Sequence, residues 1–372
     1  MTTNKIRPTI PLYLLDRVKK LQKHLRSTSA DALLVSHPPD IRYLTGFAGD
    51  ESWALVPTTG RSVHIVSDSR FELQIKRESP HARLILRKDQ LSSVLMKLLD
   101  RLHIQKLAVQ IEHVTIGQRK RLQKKLGAKR LLDLDDSLVH HRAVKDRIEL
   151  KAINKALDIQ ERAFCELLAW IKPGKTEQEV AAYLDYCMRR LGADGASFPT
   201  IVAADSNAAL PHAVPGKRKL SSRGMVLIDW GARYHGYCSD LTRVISFGRF
   251  KPKLLEIYKV VRDAQQAAID AIRPGRELAE IDRIARKVIA RAGYGDCFGH
   301  SLGHGLGLQV HEQPILSANS KGVLMAGNII TVEPGIYLPG IGGVRLEDDV
   351  LVSDKDHIVL SHLPKTLESA II

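Results

Sequence analysis

Three apolar runs in the second half of the chain each end on a carboxylate, and this constrains the fold more than any other feature. Met225-Val226-Leu227-Ile228 leads into Asp229, Ile329-Ile330-Thr331-Val332 into Glu333, and Val344-Arg345-Leu346 into Glu347, with Val350-Leu351-Val352 just beyond. Such runs read as buried strands. A carboxylate at the end of a buried strand is costly unless it is paired, hydrogen-bonded or metal-bound. A single Asp in such a place is usually a turn former or a cap; three in one region call for a shared explanation. Two more acceptors lie nearby: Asp240, in Cys238-Ser239-Asp240-Leu241-Thr242-Arg243, and His304, in His300-Ser301-Leu302-Gly303-His304-Gly305, which runs on to His311-Glu312. Asp229, Asp240, His304, Glu333 and Glu347 form an oxygen-rich set with one imidazole. That set suits manganese, cobalt or zinc better than copper or an iron–sulfur cluster. Its carboxylates can bridge two ions, as a two-metal hydrolytic site requires.

A chain of 372 residues is long enough for two domains, each with its own core. No apolar run approaches the roughly 20 residues of a membrane span, and Met1–Pro8 has no apolar core like that of a signal peptide. Cys165, Cys187, Cys238 and Cys297 have neither CxxC spacing nor the density of a disulfide framework. They read as reduced thiols of a cytoplasmic protein. Charge is uneven: residues 1–150 carry about +12 of the formal +15. The densest patch is Arg119-Lys120-Arg121-Leu122-Gln123-Lys124-Lys125. Without interleaved aromatics, zinc-finger spacing or an RNP-like motif, it reads as a solvated helix face rather than a nucleic-acid interface.

Leu14, Leu15, Val18, Leu21 and Leu25 set a helical period over residues 11–27. Short strands at Leu33-Leu34-Val35, Trp53-Ala54-Leu55-Val56, Val63-His64-Ile65-Val66 and Leu84-Ile85-Leu86 follow, with helices over about 90–102 and 115–126. This predicts a small α/β domain, residues 1–138, ending near Leu131-Leu132 at the acidic turn Asp133-Leu134-Asp135-Asp136. His140–Asp146 reads as a connector into a second domain, residues 139–372. That domain opens with a helix from about Arg147 to Ile171, stopped by Pro173-Gly174. A capping box, Thr176 with Glu179, starts the next helix. Apolar periodicity marks two more helices at 252–272 and 278–292.

Other motifs fail on context. Gly299-His300-Ser301-Leu302-Gly303 fits the G-x-S-x-G nucleophile elbow, which needs a helix after the serine. Gly303, Gly305 and Gly307 oppose a helix by about 1 kcal/mol each; they are read here as letting backbone approach metals closely. His311-Glu312 is not H-E-x-x-H, because position 315 is Ile. Cys238, beside Asp240, is not needed by a set already rich in hard ligands.

The motifs around the five ligand-type residues match in type, order and spacing those of the proline-specific pita-bread metallopeptidases, aminopeptidase P and prolidase. Asp31-Ala32-Leu33-Leu34-Val35-Ser36 through Asp40-Ile41-Arg42-Tyr43-Leu44-Thr45-Gly46-Phe47 resembles their creatinase-type N-terminal domain. The resemblance implies an α+β pita-bread catalytic domain behind a smaller α/β creatinase-type domain, and two divalent ions, manganese in the first place, with cobalt or zinc as alternatives. Asp229 would chelate one ion, Asp240 and Glu347 would bridge both, and His304 and Glu333 would complete the other. Glu333 would also accept the proton of the attacking water, and His311 would donate to the oxyanion. His300 and His212 would face the substrate and take part in catalysis, and Arg345 would anchor a ligand or a substrate carboxylate. The expected activity is release of the N-terminal residue from peptides with proline second, by a homodimer without membrane or nucleic-acid partners. The alternatives are an Xaa-Pro dipeptidase, a metal-free creatinase-like hydrolase, or an inactive pita-bread binding protein.

Overall fold

The computed structural model describes residues 10–135 and 138–372. Met1–Pro8 and Asp136 lie outside the described residues, and with them the reading of the N-terminus and part of the acidic turn. The chain forms two compact units, one ending at Arg142 and the other beginning at Ala143. No helix among the described residues is long and apolar enough to cross a membrane.

The first unit is built on a six-stranded mixed sheet. Its order is Arg83–Leu86, His64–Ser67, Trp53–Pro57, Ala32–Val35, Leu107–Gln110 and Leu131–Leu134. Ala32–Val35 is buried along its whole length because it pairs antiparallel with Trp53–Pro57 and parallel with Leu107–Gln110. The turn expected at Asp133 is instead part of the edge strand. Leu131 is buried, while Asp133, two residues on, is exposed and takes two bonds from Arg119, 2.8 and 2.7 Å. The expected connector is helical over Val139–Ala143. Arg142 donates to the buried Asp40 carboxylate at 2.8 Å. Burial alone would raise Asp40, but the bonds from His37 and Arg142 hold it at about 2.

In the second unit, the helices Arg147–Trp170 and Glu177–Arg190 start on complete capping boxes, Asp146 with Glu149 and Thr176 with Glu179. Each box satisfies orphan amides of the first turn. These helices pack on an antiparallel sheet of Leu241–Ser246, Met225–Trp230 and Ile201–Ala204. Trp230 is fully buried there, stacked on Phe164 at 4.5 Å. A second helix pair, Pro252–Asp270 and Leu278–Arg291, packs over a core shared with the remaining strands. Those strands form a five-stranded sheet in the order Glu312–Leu316, Gly303–Gly305, Ile329–Val332, Asp348–Val352 and His357–Val359. A short ribbon, Gly335–Leu338 with Gly342–Arg345, carries the chain from Glu333 back towards Glu347. All five ligand-type residues sit in or just beyond strands of these sheets, the rigid placement a preorganised site needs.

Candidate active site

One cavity of about 480 Å³ gathers every residue singled out from the sequence: Asp229, Asp240, His304, Glu333 and Glu347, with His212, His300, His311 and Arg345. Register explains the convergence. Asp229 is the fifth residue of its strand and lies opposite Thr242. Asp240 and Glu347 occupy the ends of neighbouring strands, tied by the Glu347 amide to the Thr242 carbonyl at 3.3 Å. Glu333 follows Ile329–Val332, and its amide donates to the Leu302 carbonyl at 2.8 Å, which sets it beside His304. Donor atoms of Asp240, His304 and Glu347 all lie within 4.8 Å of one another.

The imidazole of His304 is oriented by its own backbone. Nδ1 faces the Gly305 carbonyl at 3.1 Å, which can only accept, so Nδ1 carries the proton. Nε2 faces Glu333 at 3.2 Å and Asp240 at 3.8 Å. That is the usual arrangement of a metal-binding histidine. Burial would lower the pKa of His304, but the Glu333 bond and charge raise it, so without a metal Nε2 is drawn towards protonation and a cation would take that proton's place. His311 stands edge-on to His304, ring centroids 4.3 Å apart, and is exposed at the cavity mouth. His212 is likewise exposed, in the turn after Pro211.

Arg345 is fully engaged within the protein. Its Nη2 bonds Asp229 at 2.5 Å, its Nε bonds the Thr242 hydroxyl at 3.1 Å, and its Nη1 bonds the Tyr337 hydroxyl at 2.8 Å and the Pro211 carbonyl at 3.2 Å. The Thr242 hydroxyl in turn donates a hydrogen bond to Glu347 at 2.7 Å, so one guanidinium orients two carboxylates. Of the two roles expected for Arg345, the geometry matches that of holding a ligand-type side chain. Tyr337, which the sequence reading missed, receives from Arg345 and donates to His300 Nε2 at 2.9 Å; His300 Nδ1 donates to the Ser301 carbonyl at 2.8 Å. His300 is therefore a neutral imidazole with both nitrogens engaged, and burial lowers its pKa in keeping with that. Arg345→Met should strand the Asp229 charge in the interior. Breaking one side of a buried pair typically costs about 3–5 kcal/mol, measurable as a lower denaturant midpoint with unchanged slope.

The carboxylates strain against one another. Burial pushes Asp240 well above the ordinary carboxylate range, with Glu347 and Asp229 adding repulsion. Burial does the same to Glu347, reinforced by Glu333 and Asp229. Asp229 is raised by burial although Arg345 opposes it, and its Oδ1 is buried with no hydrogen-bond partner. Burial would raise Glu333 too, but the His304 bond and charge hold it at about 2. Asp349, fully buried behind the site, accepts from the Asp240 amide at 3.1 Å and is itself pushed well up by burial. Four lining carboxylates against one guanidinium leave an excess of buried negative charge, the condition that a divalent cation relieves.

The glycines of this region have a different purpose from the one expected. A Cβ at Gly303 would lie 1.9 Å from the Thr331 carbonyl oxygen, and one at Gly305 would lie 2.2 Å from that of Gln313. They admit the neighbouring strands rather than metals, and so press the His304 strand between its two partners. Ser301 is followed by the strand Gly303–Gly305, not a helix, so the nucleophile elbow is absent. Cys238 is buried in a strand pair with Arg233.

Comparison with known proteins agrees with this arrangement. The model of Metallopeptidase family M24 matches residues 151–354, more than half of the chain, and that of the Creatinase/Prolidase N-terminal domain matches residues 17–144. The chain belongs to metallopeptidase family M24. A relative from Bacillus subtilis (strain 168), described only as an uncharacterized peptidase, is 36% identical over 351 residues, 94% of this chain and 99% of its own. Among solved structures, the Xaa-Pro dipeptidase from Bacillus anthracis is 34% identical with a TM-score of 0.91, covering 95% of this chain and 99% of that one. The X-Pro aminopeptidase from Thermotoga maritima MSB8 is 36% identical with a TM-score of 0.86, covering 92% and 99%. The two-unit architecture is thus the α+β pita-bread plan with a creatinase-type N-terminal domain.

Proposed function

We propose that this M24 chain is a metal-dependent exopeptidase that removes the N-terminal residue from peptides with proline in second place. The observation that carries the reading is the buried five-residue set, whose excess negative charge and unpartnered Asp229 Oδ1 fit a pair of divalent ions. Asp229 would hold one ion, Asp240 and Glu347 both, and His304 and Glu333 the other; manganese, cobalt or zinc suits such donors. Bound there, the ions supply Lewis acidity and water activation near neutral pH.

The chain's own groups do the rest. Glu333 accepts a proton from the attacking water on a carboxylate oxygen. As the water oxygen bonds to the carbonyl carbon, negative charge builds on the carbonyl oxygen, and His311 donates to it from the cavity mouth. The carbon–nitrogen bond to proline then breaks, and the leaving nitrogen takes a proton from the side of His212. His300, locked neutral by Tyr337 and Ser301, presents a fixed ring to the proline end. Phe198, Pro199, Ile201, Val310 and Ile315 add an apolar wall, which suits a rigid pyrrolidine.

Substrate length follows from the commitments of Arg345. Among the described residues it is the only Lys or Arg lining the cavity, and every nitrogen of its guanidinium is already bonded within the protein. A dipeptide's terminal carboxylate would find no free guanidinium or ammonium among the described lining residues to pair with, whereas a chain continuing past proline brings no charge there. The competing reading is an Xaa-Pro dipeptidase, supported by the likeness to the Bacillus anthracis enzyme of that name. With metal held constant, Ala-Pro-Ala should be cleaved faster than Ala-Pro, Ala-Ala-Ala, Met-Ala-Ala or creatine. Faster cleavage of Ala-Pro selects the dipeptidase. Equal rates on Ala-Pro-Ala and Ala-Ala-Ala remove proline specificity, and preference for Met-Ala-Ala or creatine moves the chain to another branch of the fold.

A further inference from the structure

The N-terminal unit contains a second cavity, of about 370 Å³, where the strand Arg83–Leu86 turns into the helix Leu91–Arg101. Trp53, Arg87, Gln90, Ser92, Gln118 and Arg121 line it, and no acidic residue does. The helix begins without help. Gln90 at its cap makes no side-chain capping bond, and the first turn has no acidic residue. The first amides to find acceptors are those of Ser93 and Val94, both on the Gln90 carbonyl, which leaves Leu91 and Ser92 amides without intrahelical partners.

The side chains at this helix end are also unsatisfied. Ser92 is only 6% exposed and Trp53 only 7%, yet neither the hydroxyl nor the indole N–H has a partner. Neither atom is fully enclosed, so each is open to a partner from outside the protein. Arg87 gives one nitrogen to Asp68 at 2.6 Å, while its Nε is buried with none. Arg121 forms no ion pair and projects from the helix Ile116–Leu126, which contains no acidic residue. That helix is pinned to the site by Lys125, which bonds the Ser93 hydroxyl at 2.8 Å.

We propose that this cavity binds the phosphate group of a small phosphate monoester. A helix N-terminus, two guanidinium groups, a hydroxyl and an indole N–H are all donors, and a phosphate offers several acceptor oxygens to match them. The cavity is larger than a bare phosphate needs, so the organic part of the ligand lies against Trp53. The exposed Lys120, Lys124 and Lys125 beside it concentrate anions at the mouth without entering the cavity. Arg121, exposed like those lysines, differs from them in lining the cavity. This proposal is independent of the peptidase reading.

Calorimetric titration of the full chain with AMP, inorganic phosphate and adenosine tests it. AMP should bind saturably, inorganic phosphate more weakly in competition with it, and adenosine not at all. Arg121→Gln and Ser92→Ala should each weaken AMP by about tenfold, with the melting temperature of the free Arg121→Gln protein unchanged. Lys124→Gln, outside the cavity, should leave AMP affinity within about threefold. No saturable AMP binding overturns the proposal. So does an equal loss in Lys124→Gln, which would assign binding to the exposed stripe, or tight adenosine binding, which would show that phosphate is not what is read.

Discussion

Glu347→Gln and Asp240→Ala are each expected to purify without bound metal and to lose peptidase turnover together with it. The loss should lie far beyond the roughly 10–100-fold that follows from changing an outer partner of a metal ligand. Both residues are nearly fully buried and both stand between the remaining carboxylates. Neither has a substitute, since Asp349 is turned to the Asp240 amide. The same substitution carries an opposite expectation for stability. Glu347→Gln keeps the shape and the bond from Thr242 but removes one of four mutually repelling charges. The metal-free variant should therefore melt above the metal-free parent. Elemental analysis and melting curves read this without any assay of activity. A Glu347→Gln protein that retains both ions, or that melts well below the metal-free parent, contradicts the bridging role. Exhaustive chelation of the parent should abolish hydrolysis, with return on added manganese or cobalt. Activity that survives chelation would remove the metal reading altogether.

His311→Ala should behave in the contrary way, keeping its metal and losing mainly kcat. Its ring touches His304 by an edge but shares no hydrogen bond with the carboxylates, and it is exposed, so its removal leaves the ligand set intact. Loss of a single oxyanion donor typically costs about 10²–10³-fold in rate. Because the interaction strengthens only as charge develops, KM should move little. Burial and the nearby His304 lower the pKa of His311, so the neutral ring with its N–H is the form available near neutral pH. Normal turnover, or loss of metal, in His311→Ala would show that the ring serves another purpose.

Residue type and spacing located the ligand-type residues, because a carboxylate closing an apolar strand is anomalous in one dimension as well as in three. The long helices were also legible, through the stops at Pro173-Gly174 and the Thr176–Glu179 box. What stayed hidden depends on pairing across distance. Thr242 matters because it lies opposite Asp229 and bonds a residue 105 positions away. Tyr337 matters because its hydroxyl sits between His300 and Arg345. Neither relation leaves a local pattern. Leu107–Gln110 leaves no signal because Leu-Ala-Val-Gln is too short to show a period, and Asp133 reads as a turn former in sequence because its partner, Arg119, lies on another element. The glycines around His304 were assigned to the metals when neighbouring carbonyl oxygens required them.

The ligand-type residues are drawn from four separate stretches of chain between Asp229 and Glu347, held on two different sheets. Asp229 and Asp240 lie in or beside strands of one sheet and His304, Glu333 and Glu347 in or beside strands of another, so neither stretch alone holds the whole set, and a partly unfolded chain presents scattered carboxylates with little affinity for a cation. Ion binding and stability of the fold are therefore thermodynamically linked. Free metal in excess should raise the melting point in step with its logarithmic concentration. In a metal-poor setting the protein should become a better target for proteolysis before any residue has been altered, so that the supply of ions sets how much of this enzyme persists as well as how fast it works.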